Sequence, residues 1–209
     1  MNPMWAALYL CILITSTAII CNQAAKRIPY RYSPLSPGND SIRLLRLMPH
    51  TDETADIHCE LFEYSLQNNC QGTHLYEALS YAWGNPDEKL PIFINKRSVN
   101  IPINLCAALL QLRNHSIERI LWVDALCINQ DNQQEKEHQI QLMARIYSQA
   151  NRLLVWLGET ADDSDLALEE IRVAGGKKST DSSNNKKIQQ AVLALLQRPW
   201  FRRMWVRDT

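Results

Sequence analysis

The sequence predicts an α/β fold: a central, mostly parallel sheet flanked by helices. Three observations predict it. Ile120–Leu126 is a short apolar run with one acid, Asp124, near its end, the pattern of a strand buried on both faces. Ile140, Met143, Ala144, Tyr147 and Ala150 then recur at helical spacing, while Glu135, Lys136, Glu137, His138 and Gln141 stay off that stripe. Arg152–Leu157 is a second apolar run of strand length, closed by Gly158. Strand, helix and strand in that order form the βαβ unit of a parallel sheet. Ligands of such sheets collect beyond the carboxyl ends of the strands, which is where Asp124–Gln130 falls. Asp131 and Gln134 have capping-box spacing, so Asp131 is the expected N-cap of a helix over 132–149.

With 209 residues the chain can bury a real core, and 46% hydrophobic and 21% charged residues are ordinary globular values. Its formal net charge of zero gives no global electrostatic case for nucleic acid. Three segments are expected: 1–25, 26–75 and 76–209. In the first, Met4–Ile20 carries no charge, and Lys26, Arg27 and Arg31 follow it. A run of seventeen residues is at the lower limit for a membrane span. The basic residues after it would keep the bulk of the chain in the cytosol, as a single-pass membrane protein. A cleaved signal peptide or a buried helix, giving a secreted or a cytoplasmic product, is the alternative. Asn39 and Asn114 begin glycosylation triplets that test the topology.

Residues 28–40 read as an entry loop. Ile42–Met48, with its arginines pointing out, and Ile57–Leu66 read as a pair of lead-in strands. Tyr76–Trp83 is a strand closed by the turn Gly84-Asn85-Pro86-Asp87. Tyr81, Trp83 and Gly84 are either core and turn or the wall of a cleft. Pro91–Ile101 suggests a hairpin with Lys96 and Arg97 near its tip. Asn104 is a candidate cap for a helix to Arg113, with Leu105, Ala108, Leu109 and Leu112 inward. Helices are expected over 162–173 and 188–196, separated by the polar, lysine-bearing stretch 174–187. Pro199 ends the second helix, and Trp200–Trp205 begins a new element.

Chemistry has few candidates. The sequence has no phosphate-binding glycine loop and none of the common hydrolase or metalloprotease motifs. Cys59, Cys70 and His74 lack a fourth partner at metal-ligand spacing, and Cys106 and Cys127 read as small buried hydrophobes. No metal is expected. Asp124 and Glu135 are the two candidate catalytic carboxylates. A carboxylate at the end of a buried strand must be paired, must cap a turn, or must serve a site. Glu135 either serves a site or offsets the helix dipole. Asn129 and Gln130 either fix the loop between them or bind a ligand.

LWVDALCINQ at 121–130 resembles the central motif of the fungal heterokaryon-incompatibility (HET) domain. YEALSYAWG at 76–84, RIYSQANRLLVWLG at 145–158 and RPWFRRMWV at 198–206 agree with that family in order. The family positions held here are Tyr81, Trp83, Gly84, Asp124, Asn129, Gln130, Trp156, Gly158, Trp200, Phe201, Arg203 and Trp205. The resemblance implies an effector of fungal nonself recognition. Such a domain triggers cell death through protein partners or self-association, without a cofactor. It also implies a fold distantly similar to Toll/interleukin-receptor domains, which are flavodoxin-like. Some of those cleave NAD, so an NAD-cleaving hydrolase is the alternative. Aligned on Trp205 and Val206, the family's following Gln-Glu corresponds here to Asp208 and Thr209, so the acid that NAD cleavage needs is absent. A truncated, inactive remnant is the third reading.

Overall fold

A computed structural model describes residues 30–36, 40–67, 74–176 and 186–205. Seven strands form one sheet in the order β5-β4-β2-β1-β6-β3-β7. They are β1 (Ser41–Leu47), β2 (His58–Ser65), β3 (His74–Tyr81), β4 (Lys89–Ile94), β5 (Arg97–Pro102), β6 (Arg119–Trp122) and β7 (Ala150–Trp156). The helices are α1 (Ile103–Leu112), α2 (Asp124–Cys127), α3 (Gln133–Gln149), α4 (Ser164–Gly176), α5 (Lys186–Leu196) and α6 (Pro199–Trp205).

The sheet is mixed, which corrects the mostly parallel expectation. β6–β3, β3–β7 and β2–β4 run parallel, while β1–β2, β1–β6 and β4–β5 run antiparallel. The lead-in pair does not stand apart from the sheet. Leu45 registers with Leu121, so β1 lies inside the sheet against β6. The β6–α3–β7 crossover is present, but β3 inserts between its two strands.

Alternating residues reach helices on opposite faces. Arg119 of β6 donates to Leu112 O at the end of α1. Trp122, three residues on, meets Tyr147 of α3 edge to face at 5.3 Å. The core between these layers includes Trp122, Tyr76, Ile42, Leu45, Leu79 and Leu105, each at most 1% exposed. Asn95 and Lys96 both have positive φ, 49° and 65°, the twist a two-residue hairpin turn requires between β4 and β5. The turn's asparagine also accepts from Leu61 N, tying the hairpin to β2.

Several local expectations need correction. β6 stops at Trp122, and Asp124 opens the short helix α2 rather than ending a strand. The helix over 132–149 is present, but Asn132 caps it by accepting from Glu135 N, in place of Asp131. Its inner face keeps Met143, Tyr147 and Ala150 of the expected stripe but leaves out Ile140 and Ala144. Gln139 and Ile146 are fully buried, whereas Ile140 is 51% exposed. The cause is polar pairing. Gln139 donates to Ser41 O, and Glu135 binds Arg43, so two polar side chains take inward positions. Arg43 therefore points in and not out. Asn104 caps nothing, because α1 begins at Ile103 without a side-chain cap.

The membrane-anchor expectation for residues 4–20 lies outside the described residues, as do Asn39, Cys70, Asp208 and Thr209. Among the described residues no helix is long and apolar enough to cross a membrane.

Candidate functional site

Three parallel strands, β6, β3 and β7, release their chains at the same edge of the sheet. The segments that leave them are Val123–Gln130, Ala82–Pro86 and Leu157–Thr160. A parallel trio of this kind brings residues distant in sequence to one place.

Trp83 and Asp124 meet there. The Trp83 indole N–H donates to Asp124 Oδ2 at 3.1 Å, and Ala125 N donates to Asp124 Oδ1 at 2.7 Å. Asp124 is 8% exposed, whereas Trp83 is 41% exposed. The aspartate opens α2, where free backbone N–H groups favour a carboxylate. Gln130 closes the loop by donating to Asp124 O at 3.1 Å. Asn129 turns its side chain inward to the loop, accepting from Asp131 N.

Glu135 is held from the other side. Arg43 donates to both its carboxylate oxygens, at 2.5 and 3.0 Å, and Asn129 N adds a third bond at 2.9 Å. The same guanidinium donates to Cys127 O and Ser33 O and lies 4.9 Å from the centre of the Tyr32 ring. Tyr32 in turn donates to Leu126 O. One buried cation thus fixes the entry segment, α2, the following loop and the start of α3. Fork-shaped bonding of this kind is what arginine offers and lysine does not.

Asn104 is the connector that sequence reasoning missed. Its amide donates to Ala82 O at 2.5 Å and its carbonyl accepts from Trp156 Nε1 at 2.8 Å. It also explains Gly84, which has φ +75°. A Cβ there would come within 3.3 Å of Asn104 Cβ, so both backbone and space call for glycine. Gly158 has φ +100° and lies beside Arg198, whose guanidinium donates to Leu157 O, Gly158 O and Ala161 O. The Trp200 indole donates to Ser80 Oγ at 3.0 Å and packs edge to face on Phe201.

The structure therefore gathers Tyr81, Trp83, Gly84, Asp124, Asn129, Gln130, Trp156, Gly158, Trp200 and Phe201 around one sheet edge. Glu135 is joined to the cluster through Asn129. Arg203 and Trp205 lie on α6, and their side chains are outside the described residues. Arg43, Ser80 and Arg198 were not singled out from sequence, and Asn104 was singled out only as a helix cap. A faint signal existed for two of them: a charge inside the apolar run Ile42–Leu47, and an arginine heading the RPWF motif.

The chemistry this arrangement offers is limited. Both Asp124 oxygens accept hydrogen bonds, and both Glu135 oxygens face Arg43. Burial pushes the Cys127 thiol up to about 12, with the nearby Asp124 charge adding to the shift, so it is a poor nucleophile. Burial also raises the Tyr32 phenol. Among the described residues no group of three or more His, Cys, Asp or Glu side chains could hold a metal ion.

Comparison with known proteins places these residues. Residues 76–208 match the family described as Heterokaryon incompatibility protein (HET). The chain is 32% identical over 165 residues to Heterokaryon incompatibility protein 6, OR allele, of Neurospora crassa. That match covers 73% of this chain and 24% of the Neurospora protein, so the chain spans about a quarter of that relative's length. No solved structure matches the chain. The matched interval runs from within β3 to beyond α6 and holds the whole cluster from Tyr81 to Phe201, and on that ground the chain belongs to the heterokaryon-incompatibility (HET) family.

Proposed function

We propose that this chain is an effector module of fungal nonself recognition that triggers cell death through contacts with other proteins. The observation that carries the reading is the Trp83–Asp124 pair. Residues 41 positions apart in sequence build one edge, with an aromatic side chain left half exposed on it. A fixed polar anchor under an exposed tryptophan is the pattern of a recognition surface more than of a proton-transfer site. The Neurospora relative is by name a heterokaryon incompatibility protein, which supports the same assignment.

The test is expression in a filamentous fungus, scored by growth arrest and vital-dye uptake. The chain should arrest growth. Trp83→Phe keeps the ring but removes the donor to Asp124, and should weaken the response. Survival of cells holding the folded chain would overturn the reading. NAD cleavage is the competing proposal, and no contact in the site favours it, because Glu135 and Asp124 are both occupied by internal partners. Nicotinamide release by the purified chain, lost on Asp124→Ala, would reinstate it.

The localisation proposal stays with a membrane anchor at residues 4–20 and the domain in the cytosol, resting on Lys26, Arg27 and Arg31 after the uncharged run. Asn114 lies in an exposed turn, where its own side chain accepts from Ser116 N and Ile117 N. Glycosylation there in cells would place the domain on the opposite side.

A further inference from the structure

A groove of about 920 Å³ runs along the outer side of α1, between that helix, the 50–53 loop and the start of α4. It is separate from the Trp83–Asp124 pair and shares only Trp156 and Gly158 with the site cluster. Its floor is a stripe on α1. Ile103, Ala107 and Leu110 follow at i, i+4 and i+7, the spacing that aligns side chains along one helix face. Ile103 is 43% exposed and Leu110 40%. Leu90 and Leu168 add apolar walls from β4 and α4, at 42% and 45% exposed. Apolar residues this exposed, gathered in one concavity, mark a contact surface.

The rim is acidic. Glu53 stands near the end of α1, and Glu159 and Asp165 stand on the α4 side. Glu88 lines the adjoining cavity of about 200 Å³ beside Ile103 and Glu159. None of these four carboxylates joins an ion pair among the described residues. The one arginine lining the groove, Arg113, directs its N–H groups at the carbonyls of Asp52, Glu53, Ala55 and Asp56. Its donors are thereby engaged with its own loop.

We propose that this groove docks an amphipathic helix of a partner protein, with apolar residues at i, i+4 and i+7 and lysine or arginine on the flanks. The apolar stripe on α1 accepts the ridge of such a helix. The unpaired rim carboxylates select basic flanks and reject acidic ones. The inference deepens the effector reading above by naming the chemistry of a partner, and it rests on that reading for its biological role.

The probe is a stapled, fluorescently labelled helical peptide with leucine at i, i+4 and i+7 and lysines along both flanks, titrated with the full chain by anisotropy. Binding should saturate. A twin peptide with glutamate in place of lysine should bind about tenfold more weakly or worse, and the gap should shrink at high salt. Ala107→Glu places a charge on the floor, and Leu168→Glu places one on the opposite wall. Each should lower affinity about tenfold or more, with unchanged circular dichroism and melting. Two variants on separate elements guard against a folding defect in either. Equal binding of the two peptides, or binding indifferent to both variants, overturns the proposal. So does a dimer of the chain that Ala107→Glu dissociates, which would assign the groove to a second copy. The fungal assay separates this inference from the effector reading. Growth arrest that persists in Ala107→Glu, together with failed peptide binding, removes the groove and leaves the effector. Peptide binding by a chain that arrests nothing does the reverse.

Discussion

The sheet core and the helical pair that follows it bury apolar groups very differently. Between the sheet and its helices, Trp122, Tyr76, Ile42 and Leu45 are at most 1% exposed. Between α4 and α5 the buried set is Ala167, Ala191 and Leu195, with Leu157, Val192 and Phe201 packed at its margin. Larger residues of the same two helices face outward: Leu168, Ile171, Leu193 and Leu196 are 45%, 48%, 58% and 48% exposed. An alanine buries about one methyl group's worth of surface, about 0.8 kcal/mol, against ~1.5–3 kcal/mol for a large side chain. The sheet is therefore held by burial. The helical pair has this small apolar seam, and the chain that follows it is tied back to the sheet by named bonds: Arg198 to Leu157 O, Gly158 O and Ala161 O, and Trp200 to Ser80. The difference teaches that the cluster around Asp124 is built on the stable side, and that α6 reaches it from the weaker side.

The largest effect should come from the sheet side. Glu135→Ala leaves Arg43, 4% exposed, without its carboxylate partner. Removing one member of a buried pair costs about 3–5 kcal/mol. Urea melts should show this loss, and replacing Arg43 with methionine in the same chain should recover part of it. A Glu135→Ala chain that melts like the parent would erase the contrast drawn here.

Removing residues 198–209 should cost less, about 2–3 kcal/mol, because Trp200 and Phe201 are only half buried. The loss should appear first as limited proteolysis within 159–197, ahead of the sheet. Arg198→Ala alone should reproduce that early cleavage with a smaller change in midpoint, about 1–2 kcal/mol. Simultaneous digestion of both regions would show that they unfold as one unit. Thiol alkylation gives the complementary reading. Burial raises the Cys59 and Cys127 thiols to about 12, so both should stay unmodified until the sheet itself opens.

The smallest effect concerns acid. A backbone bond from Ser36 N, at 3.0 Å, holds the Glu63 carboxyl below the usual glutamate range. A depressed folded-state value gives stability that is fully present above the unfolded value and lost as pH falls through the folded one. The 30–36 segment should therefore loosen only below the ordinary glutamate titration range. Glu63→Gln should flatten that limb of the pH profile by lowering neutral stability slightly, toward its value in acid. A profile identical to the parent's would show that Ser36 contributes nothing.

Much of this architecture was legible in sequence because it is local. The apolar run before Asp124, the periodic stretch after Asn132 and the apolar run before Gly158 each declare their element from neighbouring residues. The hairpin over 91–101 is equally local, although its turn falls at Asn95 and Lys96, one residue before the expected tip at Lys96 and Arg97. What stayed hidden depends on partners far along the chain. Nothing within ten residues of Arg43 says that it, and not Arg46, turns inward, because Glu135 lies 92 positions away. The same is true of Asn104, which joins Ala82 to Trp156 across two strands. The parallel bias of the prediction failed for a related reason. Hydrophobic pattern says that β1 is buried, but not which neighbour it takes or in which direction. At the candidate site, sequence put Asp124 at the end of a strand, where the structure opens a helix, and could not show that internal donors already occupy both carboxylates.

The position of β1 also has a consequence during synthesis. It pairs at once with β2, which follows it closely, but its other edge belongs to β6. That strand leaves the ribosome roughly seventy residues later, a wait on the order of 4–14 s at ordinary elongation rates. For that interval an apolar strand has an open edge, the geometry most prone to pairing with the wrong chain. Arg46 already has Glu60 of β2 for a partner, whereas Arg43 still lacks Glu135, and an unpaired charge on an open strand disfavours pairing with a stray one. Glu118 and Glu135 emerge only with the later half of the sheet, and their arrival converts both arginines into ties across it.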